Sequence, residues 1–420
     1  MYKNKFFHLV FIALVCVQFA TSQNNTNSPF TRFGYGDINE TTSGDQRAMG
    51  GISLGARSHF NINTVNPASY SSVDSMTFMF DIGTAVLGSR FSDQSGTRKT
   101  FNANLEYVTM QFPLSKGVGF SAGILPYSFT GYNFSTSHTA ITQELDTIGY
   151  TKNFNGTGGF SQIYAGISAD LFKHISLGVN TYYMYGNMIN YRNVNYGSRS
   201  GFTSTTQTNS ITARNFRFRF GTQFYNTFAK KHDVTLGIIY EQKAKLNGDF
   251  SQTTTSVLTE TPSNSYDFEL PTVYGLGLYY TYNKKLSVGL DYSTQQWKDA
   301  KYFGKTDSLS NKSKIALGIE YIPNIIGRKF SDRVRYRAGV NVNDAYYKVD
   351  GAIPTKNIGV SFGVGIPLRN SNTVINASFE YGKIGGTKIS GTSTNRLNED
   401  YVKFTFNAVF NEHWFFKRKL

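Results

Sequence analysis

Between Met76 and Phe410 the chain repeats one unit about fourteen times: a stretch of strand length in which apolar and polar residues alternate, then a connection. Short and long connections alternate along the chain. Alternation at period two predicts strands with one apolar face, and tight turns that alternate with long loops are typical of an up-and-down barrel in an outer membrane. The sequence therefore predicts an all-β fold, a transmembrane antiparallel β-barrel of about 14 strands over residues 76–420.

The last strand shows the pattern most clearly, because Phe404, Phe406 and Phe410 share one face while Lys403, Thr405 and Asn407 share the other. The apolar face is expected to meet lipid. The same rule places the other strands near 76–90, 100–113, 117–132, 158–172, 174–191, 210–227, 233–246, 268–282, 285–297, 312–323, 333–346, 356–368 and 372–386. Long polar loops are predicted near 133–157, 192–209, 247–267, 298–311 and 387–399.

The amino terminus has the features of an export signal. Lys3 and Lys5 precede the apolar run Phe6–Ala20, and Ala20-Thr21-Ser22 forms a small-residue cleavage site. We predict a cleaved signal peptide over residues 1–22 and, with the barrel, a place in the outer membrane of a Gram-negative cell. The only cysteine, Cys16, lies in this signal, so no disulfide is expected in the mature chain.

The net charge of +15 does not indicate nucleic-acid binding, because the basic residues are dispersed along the chain. Many fall at predicted periplasmic turns: Lys230-Lys231, Lys284-Lys285, Arg328-Lys329 and the tail Lys417-Arg418-Lys419. Contact with outer-membrane lipid and lipopolysaccharide is the simpler interpretation. An acidic periplasmic or outer-membrane protein partner is the alternative.

The predicted lumen carries charge of both signs. On the inward parity of the strands lie Arg217, Arg219, Arg333, Arg335 and Arg337 together with Asp81, Glu106, Glu241, Asp291, Glu320 and Glu380. Glu320 belongs to the strand that should neighbour the one with Arg333–Arg337. Cross-strand ion pairs that fill a narrow lumen are expected; an arginine site for a carboxylate or phosphate headgroup is the alternative.

Residues 23–75 do not alternate. They contain Ser28–Gly36, an Arg47-Ala48-Met49-Gly50-Gly51 segment and Asn66-Pro67-Ala68, with turn formers and scattered large apolar residues. A segment of this length that cannot form a barrel strand needs an apolar place to sit, and the lumen is the nearest. We therefore interpret it as an N-terminal plug, or hatch.

The Ala-Met-Gly-Gly segment followed by Asn66, Pro67 and Ala68 resembles the amino-terminal hatch of the FadL-type long-chain fatty-acid transporter family. Members of that family are similar in having a fourteen-stranded barrel occluded by a small amino-terminal domain. The aromatic start of the segment, Ser28–Gly36, is similar to that of barrels from Bacteroidota-type bacteria. The resemblance implies passage of hydrophobic molecules through the hatch.

The predicted third strand contains Gly123-Ile124-Leu125-Pro126-Tyr127. Proline cannot donate to a ladder, so Pro126 predicts a local break in pairing. In FadL-type barrels the third strand has an inward kink that opens a lateral window to the membrane, and the resemblance implies this role for Gly123, Pro126 and Tyr127. A bulge near the rim without significance for transport is the alternative.

Two functions follow as expectations. The first is passive uptake of hydrophobic compounds such as long-chain fatty acids, by way of the hatch and a lateral opening. The second is a non-transporting, structural subunit of an outer-membrane secretion or barrel-assembly complex; a general porin ranks third. Scattered histidines and the lack of a nucleophile motif give no reason to expect an enzyme, a metal or another cofactor.

Overall fold

The computed structural model describes residues 25–93, 96–141, 147–196, 202–256, 259–260, 263–264, 266–348, 356–368, 373–388 and 396–413. The predicted signal peptide and the basic tail lie outside these residues. Fourteen antiparallel strands form one sheet, and the last strand pairs with the first, so the predicted fourteen-stranded barrel is confirmed. No helix among the described residues has the length and apolarity to cross a membrane.

The strands are numbered here in chain order. They are β1 (Thr77–Ser92), β2 (Thr97–Ser115), β3 (Val118–Ile141), β4 (Thr147–Leu171), β5 (Ile175–Asn195), β6 (Thr205–Phe228), β7 (His232–Glu241, continued by Ala244–Thr255), β8 (Val273–Tyr282, preceded by Phe268–Leu270), β9 (Leu286–Gln295), β10 (Lys312–Tyr321), β11 (Arg335–Asp344), β12 (Lys356–Pro367), β13 (Val374–Lys388) and β14 (Arg396–His413). Each pairs with its neighbours in sequence, as an up-and-down barrel requires.

Period-two alternation gives the wall two different faces. On β14, Phe404, Phe406 and Phe410 are exposed, whereas Thr405 and Asn407 between them are buried. The same holds on β10, where Ile315, Leu317 and Ile319 point outward. A continuous row of exposed Phe, Leu, Ile and Tyr side chains on the outside of a closed sheet suits a hydrocarbon solvent, and the buried polar face lines the lumen.

Three of the predicted long loops are at least half strand. From Ser128↔Phe160 onward, β3 and β4 pair without interruption up to Ile141↔Thr147, inside the predicted loop 133–157. β5, β6 and β7 continue into the loops predicted at 192–209 and 247–267. The prediction was wrong here for a physical reason. These upper strand halves are rich in Ser, Thr, Asn and Gly on both faces, so they lack the apolar alternation by which strands were recognised.

The opposite rim, called here the turn rim, carries the tight turns. Three of them place two residues at positive φ, at Phe172-Lys173, Ala229-Lys230 and Asn283-Lys284. The connection between β10 and β11 is longer and contains a helical turn, Phe330–Arg333. The prediction that Arg333 belongs to the strand was therefore wrong: it ends this helical turn, and Val334, expected to face outward, is buried. The sequence Arg-Val-Arg-Tyr-Arg alternates across a strand boundary that period alone does not reveal.

Most of residues 26–73 are buried within the barrel, and residues 25–76 carry short elements only. These are the 3-10 turns Pro29–Arg32 and Pro67–Ser72, a two-residue strand Asp37–Ile38 and the helix Gly44–Arg47. Ser43 and Gln46 form a capping box at the start of that helix. Such short elements cannot bury an apolar face by themselves, so the segment, called the plug below, depends on the wall for its fold.

The plug follows the inner wall as a ring. From Gly44 to Tyr70 it contacts β14, then β12, β11, β10, β9, β8, β7, β6, β5, β4 and β3 in turn. At most of these contacts the strand offers a glycine: Gly363, Gly339, Gly318, Gly289, Gly277, Gly237, Gly221, Gly178, Gly166 and Gly119. A Cβ at Gly237, for example, would overlap the carbonyl oxygen of Leu54. Because these wall positions have no side chain, the plug backbone can lie directly against the strands.

Candidate functional site

Charged side chains of the plug pair with charged side chains of the wall. Arg47 Nη2 lies 2.7 Å from Glu106 Oε2, and Lys403 Nζ lies 3.0 Å from Glu106 Oε1. Arg47 and Glu106 are almost completely buried. The removal of one partner from such a pair leaves an uncompensated buried charge. Glu106, predicted as a lumen charge, thus joins plug and barrel.

Further contacts of this kind surround the plug. Lys314 pairs with Glu40, and Arg57 Nη2 lies 2.9 Å from Asp170 Oδ1. Asp291 Oδ2 accepts hydrogen bonds from the backbone N–H groups of Ser53 (2.7 Å) and Leu54 (2.8 Å). The attachment is therefore electrostatic as well as steric.

The predicted hatch motif lies where the plug meets β5 and β6. The Asn66 side chain accepts from the Ala68 N–H (3.1 Å) and donates to the Leu54 carbonyl (2.8 Å), and Pro67 occupies the first turn of the 3-10 helix. Ser176 Oγ of β5 donates to the carbonyl of Ala68 at 2.6 Å. The three residues therefore cap a turn and fix it to the wall, which explains the residue types at these positions.

The predicted lumen arginines form two separate clusters. Arg217 and Arg219 both bind Glu241, with 2.8 Å from Arg219 Nε to Glu241 Oε2. On the other side, Arg337 Nε lies 2.6 Å from Glu320 Oε2, in direct register across β10 and β11. Each cluster also touches the plug: Arg219 donates to the Val65 carbonyl at 3.4 Å, and the Arg335 guanidinium lies 5.2 Å from the centre of the Phe60 ring.

The remaining predicted charges lie apart from these clusters. Glu380 accepts a hydrogen bond from Tyr401 Oη at 3.0 Å. Arg333 lies in the helical turn at the turn rim, as described above. The predicted set is therefore distributed around the lumen and does not converge on a single arginine site.

The wall is incomplete between β2 and β3. Among the described residues, their pairing runs only from Ser115↔Val118 to Val108↔Ile124. Beyond this point β2 continues to Thr97 paired with β1, and β3 continues to Ile141 paired with β4. The two facing edges, 97–107 and 125–141, bound what we call the β2–β3 gap.

The predicted kink residues lie where this gap begins. Gly123 is in the last paired stretch, opposite Thr109, and Pro126 is the second residue beyond it. Towards β4 the register shifts between Pro126 and Ser128, so Tyr127 forms a bulge. The Tyr127 side chain is turned into the barrel and is buried. A residue without an N–H and a bulge thus both lie where the pairing of β3 with β2 ends.

The first part of the plug, residues 25–39, here called the leading segment, occupies the gap. Its strand pairs with the free edge of β3 as Asp37↔Phe129 and Ile38↔Ser128. Further along, Thr31 Oγ1 and the backbone of Gly131 exchange hydrogen bonds of 3.1 Å. On the other edge, Asn104 Nδ2 of β2 donates to the Asn25 carbonyl at 2.6 Å. The leading segment thus replaces part of the missing ladder on the β3 edge and contacts the β2 edge through a side chain of β2.

Behind the leading segment, the upper lumen is filled by aromatic side chains. Tyr35 of the plug is completely buried and packs against Phe160, Trp297 and Tyr302, with ring centres 6.2, 5.6 and 5.1 Å away. Two cavities of about 200 and 120 Å³ lie on either side of residues 37–42 of the plug, and both are lined by polar and apolar residues. Glu40 borders both.

Sequence reasoning did not identify the ring of wall glycines or the plug charges that pair with the wall. A signal for both was present. Glycines recur on inward parity in successive strands, and Glu40, Arg47 and Arg57 lie in a segment assigned to a buried lumen. A charged residue in such a place requires a partner.

Several solved structures of known proteins have a similar architecture. The structure is similar to that of a Pseudomonas aeruginosa FadL homologue, with a TM-score of 0.62 and 14% identity over 89% of this chain and 99% of that one. It is also similar to the P. putida toluene transporter TodX (TM-score 0.57, 14% identity, 90% and 99%) and the Ralstonia pickettii toluene transporter TbuX (0.52, 13%, 87% and 98%). At such identities the likeness concerns the fold.

No protein with a curated description matches the sequence. The sequence model of a family described as BamG, in contrast, matches residues 1–420. Because this match extends over the whole chain, plug and barrel together, the protein belongs to the BamG family.

Proposed function

We propose that the protein is an outer-membrane channel for the passive uptake of hydrophobic compounds, long-chain fatty acids among them. The β2–β3 gap is the observation that carries the proposal, because a closed barrel otherwise offers no way from lumen to bilayer. The fold shared with proteins named toluene transporters supports it. An origin in a Bacteroidota-type bacterium remains a prediction.

In this proposal a ligand enters from the side of the long strands and loops and meets the aromatic cluster around Tyr35. The leading segment then leaves the edge of β3, and the ligand passes between Phe101 and Leu105 of β2 and the bulge at Tyr127 into the bilayer. Phe101 and Leu105 are exposed on the outer face of β2 at the gap. Transfer of apolar surface out of water, worth roughly 25 cal/mol per Å², drives the passage.

A reversible crosslink tests this route. Ile38→Cys with Ser128→Cys joins the leading segment to β3, because these residues face each other across the short ladder. Since the only natural cysteine lies in the predicted signal, the mature chain contains no competing thiol. We expect oxidised protein to lose uptake of radiolabelled oleate and toluene in cells, and reduction to restore it.

The matched control is Thr294→Cys with Ser313→Cys, a facing pair in the uninterrupted ladder between β9 and β10. That crosslink should leave uptake unchanged. If the crosslink between residues 38 and 128 were equally harmless, the lateral route would be wrong.

A non-transporting, structural role is the second candidate, and the packed lumen favours it. Plug and wall are joined by the buried pair Arg47–Glu106, by the partly buried pair Arg57–Asp170 and by glycine contacts around most of the circumference. A barrel filled in this way can present fixed surfaces to protein partners. Uptake that is unchanged in both crosslinked variants, and equally unchanged in cells that lack the protein, would support this candidate in place of the channel.

A further inference from the structure

The larger of the two cavities beside residues 37–42 of the plug has a volume of about 200 Å³. The plug forms one side of it, and strands β10 to β14 form most of the other. We propose that this cavity binds a small organic cation, a primary ammonium with a short apolar or aromatic body. The inference goes beyond the proposed uptake route, because it requires no movement of the leading segment.

Much of the positive charge around the cavity is already paired. Arg47 and Lys403 belong to the lining, and both bind Glu106, which does not. Lys403 also stands opposite Glu380 in the ladder between β13 and β14. These two cations and two carboxylates therefore balance one another.

Two further carboxylates of the lining have a basic side chain beside them. Glu40 is paired with Lys314, and Asp344 stands opposite Lys356 in the ladder between β11 and β12. Neither carboxylate therefore requires a cation from the cavity.

Asp37 and Glu399 remain, and they lie close enough to repel each other. The hydroxyl groups of Ser28, at 2.9 Å, and Ser89 donate to Glu399. Lys312 is the remaining basic residue of the described lining, and no ion pair among the described residues joins it to either carboxylate. Two carboxylates and one ammonium inside the barrel leave one negative charge of the lining without a counter-ion, which is unfavourable away from bulk water.

The Asp37 side chain shows the same shortage of positive charge. It opens onto the cavity deep within the barrel. Burial raises the pKa of Asp37 above its usual range, although the ammonium groups of Lys312 and Lys403 act in the opposite direction. A bound cation would favour the ionised carboxylate.

Two oxygen atoms of the lining also lack a hydrogen-bond partner. Asn343 and Thr42 are 8% and 4% exposed, and within the described part of the chain neither Asn343 Oδ1 nor Thr42 Oγ1 is hydrogen-bonded. Asn343 Nδ2 donates to Asn341 Oδ1 at 2.9 Å, which leaves the carboxamide oxygen as an acceptor. An ammonium group has three N–H donors and no acceptor, so it matches carboxylate and carboxamide oxygens.

The apolar part of the lining suits the body of such a ligand. The rings of Tyr346 and Tyr347 pack edge-on with 5.5 Å between their centres, and Phe30 and Ile384 also line the cavity. An ammonium beside aromatic rings gains cation–π attraction. An apolar cavity of about 150 Å³ in another protein holds one benzene molecule. The present cavity is larger, so one ring with a short side chain can enter it.

A metal ion suits this lining less well. Calcium, for example, takes six to eight oxygen ligands at about 2.3–2.6 Å, which must converge on one point. Over the described residues, no three His, Cys, Asp or Glu side chains are grouped so that they could hold a metal ion. The carboxylates of this cavity are distributed over the plug, β13 and β14, and an organic cation can contact them separately.

Calorimetric titration of the full mature protein in non-ionic detergent tests the site. The probe is benzylammonium, and its control is benzyl alcohol, which has nearly the same shape and no charge. We expect the ammonium to bind at least about tenfold more tightly than the alcohol, as charge-assisted hydrogen bonds imply. Glu399→Gln keeps the shape of the side chain and an acceptor for Ser28, and it should reduce this preference by about tenfold.

Glu412→Gln is the matched control, because Glu412 is exposed on the same strand and does not line the cavity. It should bind both probes like the natural protein. Equal affinity of the natural protein for ammonium and alcohol would overturn the proposal, and this comparison requires no variant to fold. An undiminished preference in Glu399→Gln would overturn it as well.

A competition experiment distinguishes an organic cation from a metal. Displacement of benzylammonium by calcium chloride, but not by sodium chloride at the same ionic strength, would overturn the proposal in favour of a metal site. Equal and weak effects of the two salts are expected. Titration measures binding without transport, whereas the crosslinking experiment measures uptake, so the channel and the cation site can fail separately.

Discussion

At the scale of single residues, the contacts between plug and wall depend on the absence of side chains at the wall glycines. Gly237 and Gly339 leave room for the plug backbone that no other residue would leave. Glycine in a strand weakens it through loss of conformational entropy and of side-chain packing. Glycine nevertheless recurs at the plug contacts of most strands from β3 to β12. This recurrence indicates that these positions share one requirement, contact with the plug.

Gly237→Ala is expected to lower the free energy of unfolding by about 1–3 kcal/mol, because the added methyl group overlaps the Leu54 carbonyl and forces plug and wall apart. Thermal unfolding in detergent and limited proteolysis of the plug measure the effect. Gly149→Ala on β4 is the control, since a Cβ at Gly149 meets nothing within 4 Å. Equal stability of the two variants would contradict the steric role of the wall glycines.

The charged residues show how far single-residue prediction reaches. Inward parity alone indicated that Glu320 should meet the strand of Arg337, and the two side chains are in contact. Parity could not indicate that Glu106 pairs with Arg47 of the plug, because the plug has no period and its position in the lumen follows from steric fit with the whole wall.

At the scale of elements, the tight turns of the turn rim contain unfavourable backbone conformations. Hairpin turns with positive φ at both central residues favour Asn-Gly. The turn between β2 and β3 has a glycine, Gly117, at φ +74°, but the turn between β8 and β9 places Asn283 at +51° and Lys284 at +56°. A residue with a Cβ in this region costs roughly 1–2 kcal/mol.

Lys284→Gly is therefore expected to stabilise the barrel by about 0.5–1 kcal/mol, after allowance for the greater freedom of glycine in the unfolded chain. Lys285→Gly, next to it and outside the positive-φ pair, should destabilise by a similar amount. Unfolding by guanidinium chloride in detergent distinguishes the two. A loss of stability in both variants would show that the positive φ of Lys284 costs less free energy than the conformational freedom that glycine adds to the unfolded chain.

Strands were predictable from the sequence where one face meets lipid and the other face meets the lumen. The lower halves of the strands satisfy this condition, and their number and order follow from alternation alone. The upper halves of β3 to β7 have polar residues on both faces, and their strand character comes from the ladders that they form with neighbouring strands and not from an apolar face. Pro126 indicated a break in pairing, but where the ladder with β2 ends depends on the leading segment that takes the free edge.

At the scale of the whole molecule, plug and barrel are coupled through charge as well as shape. Glu40 borders both internal cavities and is paired with Lys314 of β10. Burial by itself would raise the pKa of Glu40, but the nearby ammonium groups of Lys314 and Lys312 lower this pKa to about 2. The folded state therefore favours the ionised carboxylate.

This shift has a defined pH range. A pKa lowered from 4.5 to about 2 contributes stability that is fully present above pH 4.5 and is lost as the pH falls towards 2. We expect the plug to become accessible to an acid-stable protease over this range, whereas Glu40→Gln should show a weaker dependence and a lower resistance at pH 7. A constant difference between the two proteins from pH 7 to pH 2 would contradict the role of this ion pair.

The course of the plug around the wall also constrains the order in which the molecule can assemble. A ring of chain that touches every strand from β3 to β12 cannot be threaded into a finished cylinder, since its contacts are recessed into the wall at the glycines. The strands must wrap around the plug, so at least one ladder of the cylinder, such as that between β14 and β1, has to close after the plug is in place. The amino-terminal segment, which leaves any secretion or insertion apparatus first, would then serve as the template on which the sheet curls before it closes.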